Sequence, residues 1–257
     1  MAEKAVLMRK QDWLCTLTIN RPRVLNAFNG AVGEGLRRAF EKIRTDHQVR
    51  VVILQGAGGH FSSGADMHLL HQGADPPTRL QLMKDLARLI VAIRELPQPI
   101  ICKVDGVAYG VGSNLALAGD FVVAAHDARI CEVFVRIGVI MDGGGHYLLP
   151  RLVGPVKARE LAMLGDEISG RQAAEMGLIY RSVAPEDLDG EVRALAGRLA
   201  EKSPRALALI KEGLEDSLKM TIKEVMEWEA AHQTIMLETE EHKQAVRDFL
   251  ISRGKAV

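Results

Sequence analysis

The first half of the chain alternates between short apolar runs and helices with one apolar face. Trp13–Asn20 alternates apolar and polar side chains, which predicts a strand with one buried face, and a shorter strand is predicted before it at Ala5–Met8. A helix follows, whose inward positions are Val32, Leu36, Phe40 and Ile43. Val51–Leu54 is a continuous apolar run, typical of a strand buried on both faces. This order of elements is typical of an α/β protein.

A glycine-rich turn joins a predicted strand to a predicted helix in the middle of the chain. Gly106, Gly110 and Gly112 lie between the apolar run Pro99–Val104 and the helix-forming run Ser113–Ala118. Such a turn leaves backbone N–H groups free at a helix N-terminus, where they can hold an oxyanion. The third glycine of a dinucleotide fingerprint and the lysine of a P-loop are both missing. A tight turn without a binding role is the alternative.

A second turn of the same kind follows the strand at Val51–Leu54. It reads Phe61-Ser-Ser-Gly-Ala-Asp-Met67 and leads into a predicted short helix, Met67–Gln72. Ligands of α/β folds lie beyond the carboxyl ends of the strands, so two such turns predict two backbone donors facing one ligand atom. His68 and His71 share one face of the short helix, but a third ligand is missing and we predict no metal site.

A third loop, Gly138–Gly145, places Asp142 among apolar residues and before three glycines. A carboxylate in apolar surroundings has a raised pKa, which suits it to proton transfer. The alternative is an Asx-turn or a helix N-cap before a helix predicted at His146–Leu152. Short strands are predicted at Phe121–Ala125 and, as a strand or extended segment, at Ile130–Val135.

The chain is mostly helical from Gly154 onward, with one more strand predicted at Leu178–Val183. The helix that follows Val225 carries apolar residues on more than one side. Such a helix packs either on a partner subunit or within its own chain.

Composition narrows the function classes. The chain has 257 residues, 47% of them hydrophobic and 26% charged, with a formal net charge of +0, so we expect no nucleic-acid or membrane partner. Cys15, Cys102 and Cys131 are widely spaced, which predicts buried thiols in a reducing compartment. The first residues show no apolar signal segment and no run approaches membrane-spanning length, so a cytoplasmic protein is expected.

Taken together and in order, these segments resemble the crotonase superfamily, the enoyl-CoA hydratase/isomerase family. The matching segments are Asn20-Arg21-Pro22 with Leu25-Asn26-Ala27, Phe61–Met67, Gly106–Asp120, and Ile168-Ser169 with Ala173-Ala174 and Gly177-Leu178. The resemblance implies a ClpP/crotonase-like α/β fold, a spiral of ββα units over residues 1–195, with a C-terminal helical oligomerisation region over 196–257. It also implies a homotrimer or a dimer of trimers.

The resemblance further implies a site for an acyl-CoA thioester, with coenzyme A as part of the substrate and with no cofactor or metal. The N–H groups of Ala65 and Val111 would bind the thioester oxygen, although the family usually has glycine at the second position. The other implied substrate or coenzyme A contacts are Arg23, Leu25, Ala27, Ser63, Asp66, Met67, Tyr109, Asn114 and Phe134.

The implied proton chemistry departs from that of a hydratase. The two glutamates of hydratases align with Asn114 and Phe134, so we assign the acid/base role to Asp142. In this loop the chain looks most like the 1,2-epoxyphenylacetyl-CoA isomerases of the family. One carboxylate can move a proton between two carbons, so a double-bond isomerase is favoured. Glu132 is set aside, because hydratases have no catalytic acid at its position.

Other functions remain open at this point. The family includes enoyl-CoA hydratases, and an aspartate in a similar loop is the nucleophile of 4-chlorobenzoyl-CoA dehalogenases. 1,4-Dihydroxy-2-naphthoyl-CoA synthases also have an aspartate there. From another class, a non-catalytic acyl-CoA binder would keep the thioester site without turnover.

Overall fold

The computed structural model describes residues 4–253 and contains two sheets surrounded by helices. The strands are β1 (Val6–Gln11), β2 (Leu14–Ile19), β3 (Val51–Gly56), β4 (Ile100–Val104), β5 (Val107–Tyr109), β6 (Phe121–Ala125), β7 (Arg129–Cys131), β8 (Glu167–Ser169) and β9 (Arg181–Val183). The helices are α1 (Gly30–Arg44), α2 (Met67–Gln72), α3 (Pro76–Arg94), α4 (Val111–Leu117), α5 (Gly145–Leu164), α6 (Gly170–Glu175), α7 (Leu188–Ala200), α8 (Pro204–Ser217), α9 (Ile222–Leu237) and α10 (Glu240–Ser252).

The larger sheet has the strand order β1-β2-β3-β4-β6-β9 and is parallel from β2 onward, with β1 antiparallel at the edge. In β2 the predicted alternation is confirmed, since every second side chain is buried. The first four residues of β3 are all buried, as predicted for a strand covered on both faces. The smaller sheet has the order β5-β7-β8.

Helix α1 forms because its apolar residues share one face, and all four of the predicted inward positions are buried. The side chain of Asn29 caps its first turn by accepting a hydrogen bond from the N–H of Val32. Helices α1 and α3 pack together, and α7 lies against β3, β4 and β6. The three cysteines are buried thiols.

Two sequence predictions of local structure were wrong in detail. The segment Ile130–Val135 is a strand only as far as Cys131, because β7 pairs with β5 over three residues. A 3-10 helix follows at Val133–Ile137. The strand predicted at Leu178–Val183 begins only at Arg181, since Gly177 ends the preceding turn at φ 77°.

The helices predicted on either side of Gly154 form one element, α5. Gly154 interrupts it with non-helical dihedral angles of φ 74° and ψ 166°. Proline occupies the next position, and its ring cannot continue a regular helix. The element is therefore kinked at the residue where the sequence predicted a break.

The chain divides into two compact units, residues 1–200 and 201–257. The predicted division after residue 195 falls inside α7, and the structure places it at the end of that helix. The second unit consists of α8, α9 and α10 as far as it is described, and Trp228 stacks on His232 within it. Its helices carry exposed apolar side chains: Ile210, Leu214, Ile222, Met226, Ile235 and Phe249.

Candidate acyl-thioester site

Two loops leave the same edge of the larger sheet, because β3 and β4 are parallel neighbours. They continue side by side: the N–H of Ser62 donates to the carbonyl of Val107 at 2.9 Å, and the N–H of Tyr109 donates to the carbonyl of Ser62 at 3.0 Å. Ser62 and Ala108 form a parallel bridge in this ladder. Ala65 and Val111 each follow three residues after the bridge, so the two predicted donors come from adjacent segments.

Just beyond the bridge between Ser62 and Ala108, the two segments approach so closely that two positions require glycine. Gly64 has φ +90°, and a Cβ on it would lie 2.7 Å from the carbonyl oxygen of Tyr109. A Cβ on Gly112 would lie 2.7 Å from the Cβ of Ser62. Any larger side chain at either position would push apart the two segments that carry the predicted donors.

The backbone hydrogen bonds that hold the segments of Ala65 and Val111 do not use the N–H groups of these two residues. Around Ala65 the bridging hydrogen bonds are made by its neighbours, from Phe28 to the carbonyl of Gly64 and from Asp66 to the carbonyl of Phe28. Val111 is the first residue of α4, so its N–H has no acceptor within the helix. Neither N–H group is therefore used by the backbone bonds of its own segment, as the predicted donor role requires.

Valine causes no strain at position 111. The turn is made by Gly110, which has φ 52°, and Val111 is not among the residues with positive φ. A β-branched side chain disfavours positive φ, which this backbone does not demand. Valine, which stands where the resemblance implies glycine, therefore does not disturb the backbone at position 111.

The Asp142 loop packs directly on α4. The Asn114 side chain is fully buried, and its Nδ2 donates to the backbone carbonyl of Asp142 at 2.8 Å. A Cβ on Gly145 would lie 2.7 Å from that same Nδ2, and one on Gly143 would lie 3.5 Å from Cγ2 of Val111. The glycines thus let the loop approach the helix that carries the Val111 donor.

The carboxyl group of Asp142 caps no helix. The N-cap of α5 is Gly144, without a side-chain cap, so the interpretation of Asp142 as a helix N-cap was wrong. Its Oδ1 is buried and has no hydrogen-bond partner among the described residues. Burial raises the pKa of Asp142 from 3.8 to about 6. A group with that pKa can take up and return a proton near neutral pH.

Glu132, which the sequence analysis set aside, lies in the same cluster. It follows β7, is 4% exposed, and accepts a hydrogen bond from Nδ2 of Asn114 at 3.2 Å. Burial raises its pKa from 4.5 to about 7; the Ser113 and Asn114 side chains lower it, and the charge of Asp142 raises it. No motif marks Glu132, and the only sequence signal is an acidic residue inside an otherwise apolar run.

The predicted coenzyme A contacts lie on two loops held together by Asn26. Its buried side chain donates to the carbonyls of Ala57 at 2.8 Å and His60 at 2.6 Å, and accepts from the N–H of Arg21 at 2.9 Å. The N–H of Ser63 donates to the carbonyl of Leu25 at 2.8 Å. The predicted contacts Arg23, Leu25 and Met67 are exposed, Ser63 and Asp66 are half-buried, and Ala27 is buried.

Three predicted contacts have structural partners of their own. The carboxylate of Asp66 accepts hydrogen bonds from Arg21 at 2.9 Å and from the N–H of His68 at 3.2 Å. The hydroxyl of Tyr109 donates to Glu167 on β8. Phe134 is buried beneath the glycine turn, where its Cζ lies 3.6 Å from a Cβ built on Gly110.

Two further classes of site are absent from the described part of the chain. Within residues 4–253, no three or more histidine, cysteine, aspartate or glutamate side chains come together as a metal site would need. Over the same residues, every helix is too short or too polar to cross a membrane.

Comparison with known proteins places this geometry in a family. The family model described as enoyl-CoA hydratase/isomerase matches residues 9–255. The chain is 34% identical to the 1,2-epoxyphenylacetyl-CoA isomerase of Escherichia coli, over 97% of this chain and 96% of that protein. It is 35% identical to a probable enoyl-CoA hydratase of Rhodobacter capsulatus, over 94% of this chain and 93% of that protein.

A solved structure shows the same fold. The crystal structure of an enoyl-CoA hydratase from a Polaromonas species matches with a TM-score of 0.93 and 29% identity, over 96% of this chain and 97% of that one. The match spans both compact units of the chain. The chain therefore has the crotonase fold and belongs to the enoyl-CoA hydratase/isomerase family.

Proposed function

We propose that this protein is a double-bond isomerase of the enoyl-CoA type, with Asp142 as its acid/base and the N–H groups of Ala65 and Val111 as its oxyanion hole. One observation carries the proposal: the Oδ1 oxygen of Asp142 is buried in the loop that packs on α4, and it has no hydrogen-bond partner among the described residues. The names of relatives alone do not decide the reaction, since both isomerases and hydratases are among them.

The proposed reaction begins when the thioester oxygen accepts hydrogen bonds from the two backbone N–H groups. The ionised Asp142 takes a proton from carbon 2 of a 3-enoyl-CoA, and the electron pair enters the thioester as a dienolate. Protonated Asp142 then returns the proton to carbon 4, which gives a 2-enoyl-CoA. Preorganised donors stabilise the oxyanion formed between these steps.

Asn114 supports isomerisation over hydration. It occupies the position where the resemblance implies the first glutamate of a hydratase, and both N–H bonds of its amide are engaged, with Asp142 and with Glu132. An amide can donate and accept hydrogen bonds but cannot take a proton from water at neutral pH. Phe134, at the second position, has no proton to exchange.

A panel of substrates tests the proposal with wild-type protein and Asp142→Asn. The panel contains a 3-enoyl-CoA, a 2-enoyl-CoA and an aryl-CoA ester that carries a halide. We expect conversion of the 3-enoyl-CoA by the wild type and loss of this activity in the variant. Hydration of the 2-enoyl-CoA that is unaffected by Asp142→Asn would overturn the proposal.

The same panel separates the other functions. Halide release would indicate an aspartate nucleophile of the dehalogenase kind. Thioester binding without turnover of any substrate would indicate a non-catalytic acyl-CoA binder. Both outcomes contradict isomerisation by Asp142.

We also propose that the chain assembles as a homotrimer or a dimer of trimers through its C-terminal unit. The exposed apolar side chains of α8, α9 and α10 support this, since large apolar patches on a surface mark interaction sites. Light scattering coupled to size-exclusion chromatography measures the mass directly, and a monomer would contradict the proposal.

A further inference from the structure

Several buried polar atoms without partners lie in one place in this molecule. Asn114 Oδ1 and Asp142 Oδ1 are two such atoms among the described residues, and Ser113 Oγ and Glu132 Oε1 are also buried without a well-formed hydrogen bond. The Ser113 side chain is still close enough to lower the pKa of Glu132. The four atoms belong to the start of α4, the end of β7 and the loop before α5. A buried acceptor without a donor costs free energy, so such a cluster is retained for a reason other than stability.

The Asn114 amide joins the two carboxyl-bearing segments. Its Nδ2 donates to the carbonyl oxygen of Asp142 and to Oε2 of Glu132. The carbonyl of Asp142 can only accept, which fixes the orientation of the amide. Glu132 accepts from the same Nδ2 and so helps to hold Asn114 in this orientation. Asn114 in turn holds the backbone from which the Asp142 side chain projects.

We propose that Glu132 is a positioning residue for the Asp142 loop, acting through the Asn114 amide, and that its ionisation alters the basicity of Asp142. This inference rests on the proposed role of Asp142 in proton transfer. Glu132 does not need to touch the substrate.

The charges around Glu132 support its second role. Asp142 ionises first, and its negative charge contributes to the raised pKa of Glu132, about 7. The interaction is mutual, so an ionised Glu132 raises the proton affinity of Asp142. Ser113 and Asn114, both on α4, carry no charge. The neighbouring Cys131 thiol stays neutral, because burial raises its pKa to about 11. The charges of Arg136, Glu132, Glu167 and Asp166 affect that pKa less.

Two substitutions separate positioning from mere packing. Glu132→Gln keeps an acceptor for Nδ2 of Asn114 but cannot ionise, whereas Glu132→Ala removes the acceptor. We expect Glu132→Ala to lower kcat for a 3-enoyl-CoA by about tenfold or more with little change in KM, which corresponds to about 1.4 kcal/mol. For Glu132→Gln we expect a kcat near pH 6 close to that of the wild type, because the glutamine oxygen still accepts the hydrogen bond from Asn114.

The pH dependence of kcat/KM gives the decisive readout, measured from pH 5 to pH 9 on wild type, Glu132→Gln and Asp142→Asn. The wild type should show a step near pH 6 and a second near pH 7, following the pKa values of Asp142 and Glu132. Glu132→Gln should keep the first step and lose the second. If it keeps both steps, or if Glu132→Ala has wild-type kcat, the inference is wrong.

Different results would contradict the proposed role of Asp142 and the proposed role of Glu132. An Asp142→Asn variant with wild-type activity would overturn the proposed function, whatever Glu132 does. If Asp142→Asn is inactive but Glu132→Gln has the wild-type pH profile, only the role of Glu132 is overturned. Should Glu132→Ala not fold, the comparison of wild type with Glu132→Gln still decides the question.

Discussion

Two glycine-rich loops meet at α4, the turn before Val111 and the loop Gly138–Gly145, and they differ in the polar groups that they leave without a hydrogen-bond partner. The turn before Val111 is tied to its neighbour by a ladder of backbone hydrogen bonds, and it offers N–H donors without a titratable side chain. The loop at Asp142 and the end of β7 at Glu132 offer acceptors, two of which are buried oxygens of carboxyl groups with raised pKa values. Binding of the thioester and transfer of the proton are thus assigned to different loops, and substitutions should affect them separately.

The largest expected effect is on turnover in Asp142→Asn. General acid–base groups contribute roughly 10²–10⁴-fold to a rate, so kcat for a 3-enoyl-CoA should fall within that range. The dissociation constant of a saturated acyl-CoA, measured by calorimetry, should stay within a few-fold of the wild-type value, because the backbone donors are intact. A large loss of affinity would show that the two loops do not act separately.

A substitution in the Phe61–Met67 turn, which lies beside the turn before Val111, should weaken binding of the thioester. In Gly64→Ala the new Cβ meets the carbonyl of Tyr109 at 2.7 Å in a backbone with φ +90°, so the donor segments must move apart. We expect weaker acyl-CoA binding and a kcat/KM lower by roughly 10²-fold, the loss typical of one oxyanion donor. Gly190→Ala in α7 is the matched control, because its Cβ meets nothing within 4 Å. Unchanged binding in Gly64→Ala would contradict the assignment of Ala65 and Val111.

The second loop should also make stability depend on pH. The pKa of Glu132 is raised from 4.5 to about 7, so the folded chain keeps a proton that the unfolded chain loses in this range. The contribution of Glu132 to the free energy of unfolding should therefore be largest below about pH 4.5 and fall by up to about 3 kcal/mol as the pH rises to 7.

Glu132→Gln is the control for this pH dependence. Because the variant cannot ionise at this position, its unfolding free energy should fall less over the same interval. Asp142 contributes in the same direction at lower pH, between 3.8 and about 6, and it is present in both proteins. Denaturant titrations at several pH values measure the difference, and parallel curves would contradict a buried neutral Glu132.

The smallest effect on activity is expected from Val111→Gly. The donor at this position is a backbone N–H, and the backbone is one that any residue adopts. We expect kcat within a few-fold of wild type and a loss of stability, since the valine side chain is buried and glycine weakens a helix. Initial rates and thermal unfolding check the two parts, and loss of activity in a folded variant would mean that the side chain itself acts in the site.

The parts of the fold that could be predicted are those with a local signal. The strand Val51–Leu54 could be predicted because it is a continuous apolar run. The buried face of α1 could be predicted because its apolar residues repeat at the helical period. The prediction that the segments of Ala65 and Val111 lie side by side is confirmed, since parallel neighbouring strands end at one edge. Their role as donors stays a prediction.

Features that depend on non-local pairing could not be predicted. Glu132 is buried because β7 pairs with β5 and brings it against Asn114, a contact between residues 18 positions apart. The short lengths of β7 and β9 likewise follow from their partners and not from their own residues. Of the two sequence interpretations of Asp142, the raised pKa agrees with the structure. The helix N-cap was wrong, since the helix begins two residues later than an Asp142 cap requires.

One labelling experiment tests the central claim most directly. A 3-enoyl-CoA that carries deuterium at carbon 2 is converted by the wild type, and the product is analysed by mass spectrometry and NMR. Proton transfer by Asp142 predicts a 2-enoyl-CoA of unchanged composition at early times, with part of the deuterium at carbon 4 and none of this product from Asp142→Asn. A 2-enoyl-CoA formed at wild-type rate by Asp142→Asn, or a product that has gained water, would contradict it.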